Sequence, residues 1–354
     1  MSNTLDPILL HHLQEGTVIP AHPLALTADR QLDEARQRLL TRYYIASGAG
    51  GMAVGVHSTQ FEIRDPQVNL YEPVLRLAVE ELSKAAPDRP FLKVAGICGP
   101  TEQALKEAIL ASGLGYDMAL LSMGGLAAYS EADLLARTRA VAAIMPVFGF
   151  YLQPSVGGRI FSFDFWQAFA AIPNVLAIKV AAFNRYQTLD VMRAVACSPR
   201  AKEIALYTGN DDNIIADLLT TYRFQFEGRQ VEKSFVGGLL GQWAVWTSKA
   251  VDLLQRIKSA KAEGRDQLPA FLSEGVALTD VNAAIFDPAH QFHGCIPGIH
   301  EVLRRQGLLA GTWCLNEKEQ LSPGQAEEIT RVYECYPHLN DDAFVQEFLR
   351  QQSL

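Results

Sequence analysis

Short apolar runs alternate with longer amphipathic segments along the first 240 residues of the chain. The runs predict eight strands, at 17–22, 51–56, 91–97, 117–123, 145–151, 175–180, 203–208 and 233–238. The segments between them predict helices at 30–47, 67–85, 101–113, 130–143, 163–172, 187–197 and 211–222. Strand starts lie about 25–40 residues apart, the spacing of parallel strands joined by crossover helices.

Eight such units favour a closed (β/α)8 TIM barrel over a doubly wound sheet. No G-x-G-x-x-G or G-x-x-x-x-G-K-[ST] fingerprint follows an early strand, which weakens the doubly wound alternative further. The fold class expected is therefore α/β, with a barrel and short N-terminal arm over residues 1–240.

After residue 240 the alternation stops, and apolar residues recur at helical spacing. Helices are predicted at 241–264, 267–286, 297–309, 322–336 and 341–352. No linker rich in Pro, Gly or Ser separates this part from the barrel. Residues 241–354 are therefore expected to form a C-terminal helical region packed on the barrel.

The composition is that of a globular protein with ample apolar residues for a core: 354 residues, 49% hydrophobic and 20% charged. A net charge of −8 without basic runs argues against nucleic acid as a partner. No apolar stretch reaches membrane-spanning length, and the N-terminus lacks the basic start of a signal peptide. Five scattered cysteines without C-x-x-C spacing suggest free thiols, so a cytoplasmic location is expected.

One lysine interrupts the apolar run "VLAIKV" of the sixth predicted strand. A buried ammonium group loses its water, so Lys179 needs a reason to be there. If it points into the barrel, it lies near the C-terminal face, where enzymes of this fold have their active sites. A desolvated lysine has a lowered pKa, and its amine can attack carbonyls to form Schiff bases. The alternative is a lysine that reaches solvent or pairs with a carboxylate such as Asp211.

Tyr151 ends the fifth predicted strand, 28 residues before Lys179. Adjacent parallel strands lie about 4.8 Å apart, so the two side chains are expected to meet at the barrel mouth. A phenol beside the amine could relay protons during Schiff-base formation. The alternative is an aromatic side chain at the barrel rim.

Three histidines could lie at the barrel mouth: His22 ends the first predicted strand, His57 follows the second, and His293 lies in "HQFHGC". His22, His57 and His293, with Asp211 or Asp212, could bind a divalent metal, although no compact ligand motif is present, so no metal is expected. His57 is more plausible as a pocket acid, base or hydrogen-bond donor.

A cation and a glycine pair also qualify as site residues. Arg159, in "GGR", suits a substrate carboxylate, and a surface ion pair is the alternative. Gly237, in the pair Gly237-Gly238, could let the backbone approach a ligand, with tight packing as an equal explanation.

These residues resemble motifs of the dihydrodipicolinate synthase/N-acetylneuraminate lyase family, class I aldolases of (β/α)8 fold. "AIK" with Lys179 is similar to the family's Schiff-base lysine setting, and "YLQP" with Tyr151 to its "Y-N-x-P". Weaker likenesses are "HP" at His22, "GVHSTQF" to the "G-T-T-G-E" loop, "GNDDN" to the "G-D-D" turn, and "SFVGGLLG" to the eighth strand. The resemblance covers about residues 15–335.

The resemblance implies a lyase in which Lys179 forms a Schiff base with a 2-oxo acid such as pyruvate and Tyr151 relays protons. It places the carboxylate-binding hydroxyls on Ser58 and Thr59, and it leaves His57 and Arg159 for the distal part of the substrate. No cofactor is implied, and a homodimer or homotetramer is expected.

Departures from the family argue against dihydrodipicolinate synthase itself. "SMGGLAAY" stands where the synthases carry "P-Y-Y", and Tyr129 comes several residues late. Val180 follows the lysine where the synthases carry an acid. A different aldehyde or 2-oxo acid is therefore expected. Two rivals stay open: a metal-dependent barrel enzyme using His22, His57 and Asp211, and a non-catalytic sensor of 2-oxo acids.

Overall fold

The computed structural model describes residues 4–264 and 268–352. Eight parallel strands form a nearly closed (β/α)8 barrel with alternating helices, and further helices follow at the C-terminus. The fold expected from the sequence is thus confirmed. The strands are β1 (Val18–Pro20), β2 (Gly51–Val54), β3 (Leu92–Ile97), β4 (Met118–Leu121), β5 (Val147–Leu152), β6 (Val175–Ala181), β7 (Ala205–Thr208), β8 (Thr221–Phe226) and β9 (Arg229–Leu240).

The order of strands in the sheet is β1-β9-β7-β6-β5-β4-β3-β2, and β8 pairs with β9 outside this path. The helices up to the end of the barrel are α1 (Pro7–Glu15), α2 (Glu34–Ala46), α3 (Tyr71–Ala85), α4 (Thr101–Gly113), α5 (Glu131–Ala142), α6 (Phe163–Ala170), α7 (Arg185–Ala196) and α8 (Ile214–Leu219). The C-terminal helices are α9 (Thr247–Glu263), α10 (Leu268–Phe286), α11 (Cys295–Arg305), α12 (Gln325–Cys335) and α13 (Asp342–Gln351).

The chain divides into two compact units. The first unit comprises Met1–Thr17 and Leu92–Leu239, and the second comprises Val18–Phe91 and Leu240–Leu354. The first therefore holds α1, β3 to β8 and almost all of β9, whereas the second holds β1, β2 and the C-terminal helices. The C-terminal part of the second unit begins where the sequence pattern changes to helical spacing.

In the first unit, α6 packs on the outer face of β5 and β6. A Cβ added to Gly149 would lie 2.5 Å from Cε1 of Phe169 and 3.3 Å from Cγ1 of Ile178. Trp166 and Phe165, one turn before Phe169 on α6, are almost fully buried. Gly149 and Ile178 therefore point toward the helical layer. Side chains alternate along a strand, so the residues that follow them, Phe150 and Lys179, point to the opposite face.

The predicted helix over 211–222 is too long at both ends, and only Ile214–Leu219 is helical. The helix there, α8, ends at Leu219, and the chain enters β8, which pairs antiparallel with the start of β9. Glu227 and Gly228 join these strands with φ of 49° and 75°. Positive φ at both central residues is the signature of the type I′ turn, whose twist suits a two-residue hairpin.

In the second unit, buried apolar residues of α2 pack with those of α10 to α13. Tyr43 and Tyr44 on α2 belong to this core, together with Trp246, Ile285 and Val302. The predicted C-terminal helices are all found, although Gln267, the first residue of one of them, lies outside the described residues. Within residues 4–264 and 268–352, no helix combines the length and apolar character that a membrane crossing requires.

Candidate active site

Lys179 is the fifth of the seven residues of β6, near the C-terminal end of the strand. Its neighbour Ile178 faces the helices, so Lys179 points the other way, into the barrel. Only 8% of its surface is exposed. Its Nζ lies 4.5 Å from the centroid of the Phe150 ring, within the range of a cation–π contact. The expected inward lysine is thus in place.

The register of β5 against β6 determines which aromatic residue accompanies Lys179. Val147 pairs with Val175, but the next residue of β5, Phe148, pairs with Ala177. One extra residue of β6 is accommodated there, and the pairing beyond it is offset by one. Phe150 therefore pairs with Lys179, and Tyr151 pairs with Val180.

The expectation that Tyr151 and Lys179 meet at the barrel mouth is wrong. A one-residue change in register moves a side chain to the opposite face of the sheet. The Tyr151 ring packs against Trp166 of α6 and Phe161, with ring centroids 5.1 Å and 5.7 Å away. Burial there raises the pKa of the Tyr151 phenol to about 12, so the group stays neutral at physiological pH. Its assigned role as proton relay has no geometric support.

The neighbour of Lys179 on the other side of β6 is Tyr207 of β7. Its ring packs edge-on against Phe148, with centroids 5.2 Å apart, and its hydroxyl donates to the backbone oxygen of Leu13 at 2.8 Å. Lys179 thus stands between Phe150 and Tyr207 on the inner face. The sequence analysis missed both aromatics, although alternation along β5 and β7 could have identified them once the register was known.

Gly209, directly after β7, leaves room for the side chain of Lys179. A Cβ at this position would lie 2.6 Å from Cε of Lys179, 3.0 Å from its Cγ and 2.8 Å from Cβ of Ala181. Contacts below 3.0 Å are not tolerated without movement. The lysine methylenes therefore run across the bare backbone of Gly209, which is why the "GNDDN" turn begins with glycine.

Ser58 and Thr59, in the second unit, follow β2 and are buried. The Ser58 hydroxyl donates to the backbone oxygen of Ala21 at 2.9 Å, and the Thr59 hydroxyl donates to that of His22 at 2.7 Å. The Thr59 hydroxyl also accepts from the backbone N–H of Gly55 at 3.0 Å. To donate to a substrate carboxylate, each hydroxyl would have to leave its carbonyl partner. The geometry thus gives both residues a role in fixing the loop after β2.

His22 is not available as a metal ligand. Its Nδ1 lies 2.8 Å from the backbone oxygen of Pro23, and its Nε2 lies 2.9 Å from Oγ1 of Thr41. Complete burial lowers the pKa of this imidazole to about 4, so the ring is neutral. Both nitrogens serve hydrogen bonds, which removes His22 from the metal-dependent alternative. In the described part of the chain, no three His, Cys, Asp or Glu side chains are placed to hold a metal ion.

The other proposed histidines lie in turns of the second unit. His57 begins the short 3-10 turn after β2, and its ring lies 5.8 Å from that of Phe61. His293 lies between α10 and α11. Its backbone N–H donates to the oxygen of His290 at 3.1 Å. The role of His57 toward a substrate stays a prediction.

Arg159, in the first unit, is half-buried in the loop after β5. Its Nη1 donates to the backbone oxygen of Tyr129 at 2.7 Å, and its guanidinium carbon lies 5.4 Å from the Phe161 centroid. Arg159 therefore joins the loops that follow β4 and β5. A guanidinium has five N–H donors, so this contact leaves capacity for an anion.

Gly237 is required for packing. A Cβ there would lie 2.4 Å from the backbone oxygen of Thr17 and 2.9 Å from Cε1 of Tyr207. The bare backbone of β9 thus makes room for the tyrosine that neighbours Lys179. The alternative role, close approach to a ligand, is not needed to explain this glycine.

Solved structures share this architecture over almost the whole chain. A dihydrodipicolinate synthase from Oceanobacillus iheyensis superposes with a TM-score of 0.72, at 17% identity, covering 93% of this chain and 99% of that one. CdNal from Clostridium difficile, solved with mannosamine, gives 0.71 at 14% identity, covering 91% and 99%. The chain has the fold of these proteins.

An N-acetylneuraminate lyase from Fusobacterium nucleatum, solved with pyruvate, gives a TM-score of 0.69 at 15% identity, covering 92% of this chain and 98% of that one. No family model matches the chain, and no curated protein matches it. At these identities the likeness establishes the fold, and the chemistry has to be argued from the residues.

Proposed function

We propose that the chain is a lyase of the class I aldolase type, in which Lys179 forms a Schiff base with a small 2-oxo acid. The observation that carries this proposal is the position of Lys179: inside the barrel, near the C-terminal end of β6, and only 8% exposed. Burying a lysine costs several kcal/mol unless the environment compensates. A functional amine at the face where barrel enzymes work accounts for such a residue.

The proposed reaction begins with attack of Nζ on the ketone carbon of the 2-oxo acid. The resulting carbinolamine loses water and becomes an iminium, which withdraws electrons from the adjacent bond. Cleavage of a C–C bond, or loss of an α-proton, then gives an enamine. The reaction requires no cofactor, since the lysine itself supplies the electron sink.

Arg159 is the proposed contact for an anionic group at the far end of the substrate. Its guanidinium is fixed by the Tyr129 carbonyl and by the Phe161 ring, so it loses little freedom on binding. The solved structures with this fold have pyruvate in one case and mannosamine in another. A small carbonyl compound or sugar-derived aldehyde is the matching class of ligand for this chain.

A non-catalytic sensor of 2-oxo acids is the second candidate. It is favoured by Phe150, which occupies the place beside Lys179 where a proton-relaying hydroxyl would be useful. A phenyl ring can neither donate nor accept a proton. Turnover of any carbonyl substrate would exclude the sensor, because sensing needs imine formation alone.

Thermal stabilisation by 2-oxo acids tests the proposed function. A ligand specific to the native state stabilises it by about 2.7 kcal/mol at 100 times its Kd. We expect stabilisation of the wild type by pyruvate or a larger 2-oxo acid, and none for Lys179→Arg, because guanidinium is not nucleophilic. Lys233→Arg, at another lysine that is partly buried, serves as the control and should respond like wild type. Equal stabilisation of Lys179→Arg, or none of the wild type by any 2-oxo acid, would refute the proposal.

A further inference from the structure

A fully buried carboxylate lies behind the loop that contacts Lys179. Asp217, on α8, has no exposed surface. Its Oδ2 accepts hydrogen bonds from Oγ1 of Thr208 at 2.6 Å and from Nδ2 of Asn210 at 2.9 Å. These two residues flank Gly209. One carboxylate oxygen therefore holds both ends of the three-residue segment that runs past the lysine.

The second oxygen of Asp217 is held by a cation. Its Oδ1 accepts from Nη1 of Arg185 at 2.5 Å, from Nδ2 of Asn213 at 3.3 Å and from the Tyr222 hydroxyl at 3.4 Å. Arg185 is the first residue of α7. An unpaired buried carboxylate would be strongly destabilising, and these contacts compensate for its lost hydration. The ion pair also fixes α8 relative to the start of α7.

Two further hydrogen bonds connect this network to β6. The backbone N–H of Phe183 donates to Oδ1 of Asn210 at 3.0 Å. The backbone N–H of Gly209 donates to the oxygen of Val180 at 2.7 Å. Val180 is the residue after Lys179, so the strand that carries the lysine and the loop that contacts it are joined directly.

The contact between Gly209 and Lys179 makes the lysine sensitive to this segment. An added methyl group would lie 2.6 Å from Lys179 Cε, so the backbone is in close contact with the side chain. A shift of Gly209 by a fraction of an ångström would either push the methylenes away or open a gap beside them. Misplacement of a reacting group by about 1 Å can cost about 100-fold in rate.

We propose that Asp217 is a positioning residue for the Lys179 amine. By binding Thr208 and Asn210 it fixes Gly209, and Gly209 in turn fixes the course of the lysine side chain toward the Phe150 ring. The inference rests on the proposed function of Lys179, and it assigns a part in that function to a carboxylate that does not touch the substrate.

The test compares Asp217→Asn with Asp190→Asn. The first change keeps the size of the side chain but removes its charge and one acceptor oxygen. The second makes the same chemical change at an exposed residue of α7, which pairs with Arg193 at 3.3 Å. Two quantities are measured at a temperature where both variants are folded: the rate at which pyruvate and borohydride label Lys179, and the hydrogen exchange of the Gly209 amide.

We expect Asp217→Asn to slow labelling of Lys179 at least about tenfold and to speed exchange of the Gly209 amide at least about tenfold. Exchange of the Leu206 amide in β7 should stay unchanged, because the effect is expected to be local to Gly209. A general loss of stability would instead accelerate exchange along the whole strand. Asp190→Asn should match wild type in both measurements. Wild-type labelling in folded Asp217→Asn would overturn the proposal, and so would an equal acceleration of exchange throughout β7.

Failure of the proposed function gives a different result. If no 2-oxo acid labels the wild type, the Schiff-base assignment is wrong, and Gly209 exchange alone decides whether Asp217 fixes the loop. If Asp217→Asn does not fold, Thr208→Val replaces it. That variant removes two hydrogen bonds, the one the Thr208 hydroxyl donates to Asp217 and the one it accepts from the Asn210 backbone N–H at 3.2 Å. It leaves the ion pair between Asp217 and Arg185, and it should shift both measurements in the same direction. No shift in either measurement would overturn the inference.

Discussion

At the scale of single residues, the surroundings of Lys179 separate it from an ordinary structural lysine. Its methylenes lie against the backbone of Gly209, and its amine lies over the face of Phe150. The opposite face of β6 packs on α6 through Ile178 and its neighbours. Only 8% of the lysine surface is exposed. Its position is therefore set by packing, which is what a nucleophile needs for a fixed angle of attack.

Tyr151→Phe should leave the reactivity of Lys179 almost unchanged. The tyrosine packs against Phe161 and Trp166 on the helical side of β5, so its hydroxyl is on the wrong face to serve the amine. We expect a labelling rate with pyruvate and borohydride within about twofold of wild type. A slowing of tenfold or more would return Tyr151 to the role of proton relay and would contradict the register of β5 against β6.

At the scale of elements, the register of β5 against β6 shows which features of the candidate site could be predicted from the sequence and which could not. The apolar run around Lys179 was sufficient to predict the strand and the inward lysine. The spacing of 28 residues between Tyr151 and Lys179 also suggested a contact. The two side chains do not meet, because β6 contains one extra residue after Val175. A bulge depends on how two strands pair, so neither strand reveals it alone.

The β8–β9 hairpin gives a second example. The segment "TYRFQF" alternates aromatic and polar residues, and "EG" follows at Glu227–Gly228. Alternating aromatic and polar residues, followed by a turn with a residue that tolerates positive φ, predict a β-strand. The sequence analysis predicted a helix over 211–222 that overlaps the first two residues of β8, and it predicted no strand there. The regular alternation of strand and helix was given more weight than the local pattern. The signal for β8 was thus present in the sequence.

Gly209→Ala should strongly reduce the reactivity of Lys179 and have a smaller effect on the stability of the protein. Its new methyl group would meet Cε of Lys179 and Cβ of Ala181, and the flexible lysine is the part that can move. We expect labelling of Lys179 to fall at least about tenfold, while overpacking lowers the free energy of unfolding by about 1–3 kcal/mol. Both are measured on purified protein, by trapping with borohydride and by urea unfolding.

Gly113→Ala is the matched control for that substitution. Gly113 ends α4, and nothing lies within 4 Å of a Cβ placed there. Helix propensity favours alanine, so this variant should be as stable as wild type or slightly more stable, with unchanged labelling. Normal labelling in Gly209→Ala would show that the glycine backbone does not determine the path of the lysine.

At the scale of the whole molecule, two buried histidines make stability depend on pH. Burial lowers the pKa of His22 and of His300 from the ordinary value of 6.5 to about 4. The unfolded chain therefore binds more protons than the folded chain between pH 6.5 and 4. Stability from each neutral histidine is complete above pH 6.5 and is lost as the pH falls toward 4.

Urea unfolding at pH 7 and pH 5 measures this effect. Each histidine should account for a loss of about 2 kcal/mol in the free energy of unfolding between these values. His22→Gln and His300→Gln should each reduce the pH dependence by that amount, and His11→Gln, at an exposed residue of α1, should leave it unchanged. The same pH dependence in all three variants would show that neither buried imidazole is responsible.

The central claim, a nucleophilic amine at Lys179, is tested most directly by trapping and peptide mapping. Lys233 is an internal comparison in the same experiment, because burial lowers its pKa to about 8 and its Nζ donates to the backbone oxygen of Ala201 at 2.6 Å. Incubation with pyruvate and borohydride should add one reduced pyruvyl group per chain, on the peptide that contains Lys179, and none on the peptide that contains Lys233. Label on Lys233, label spread over surface lysines, or no label with pyruvate and several larger 2-oxo acids would contradict the account.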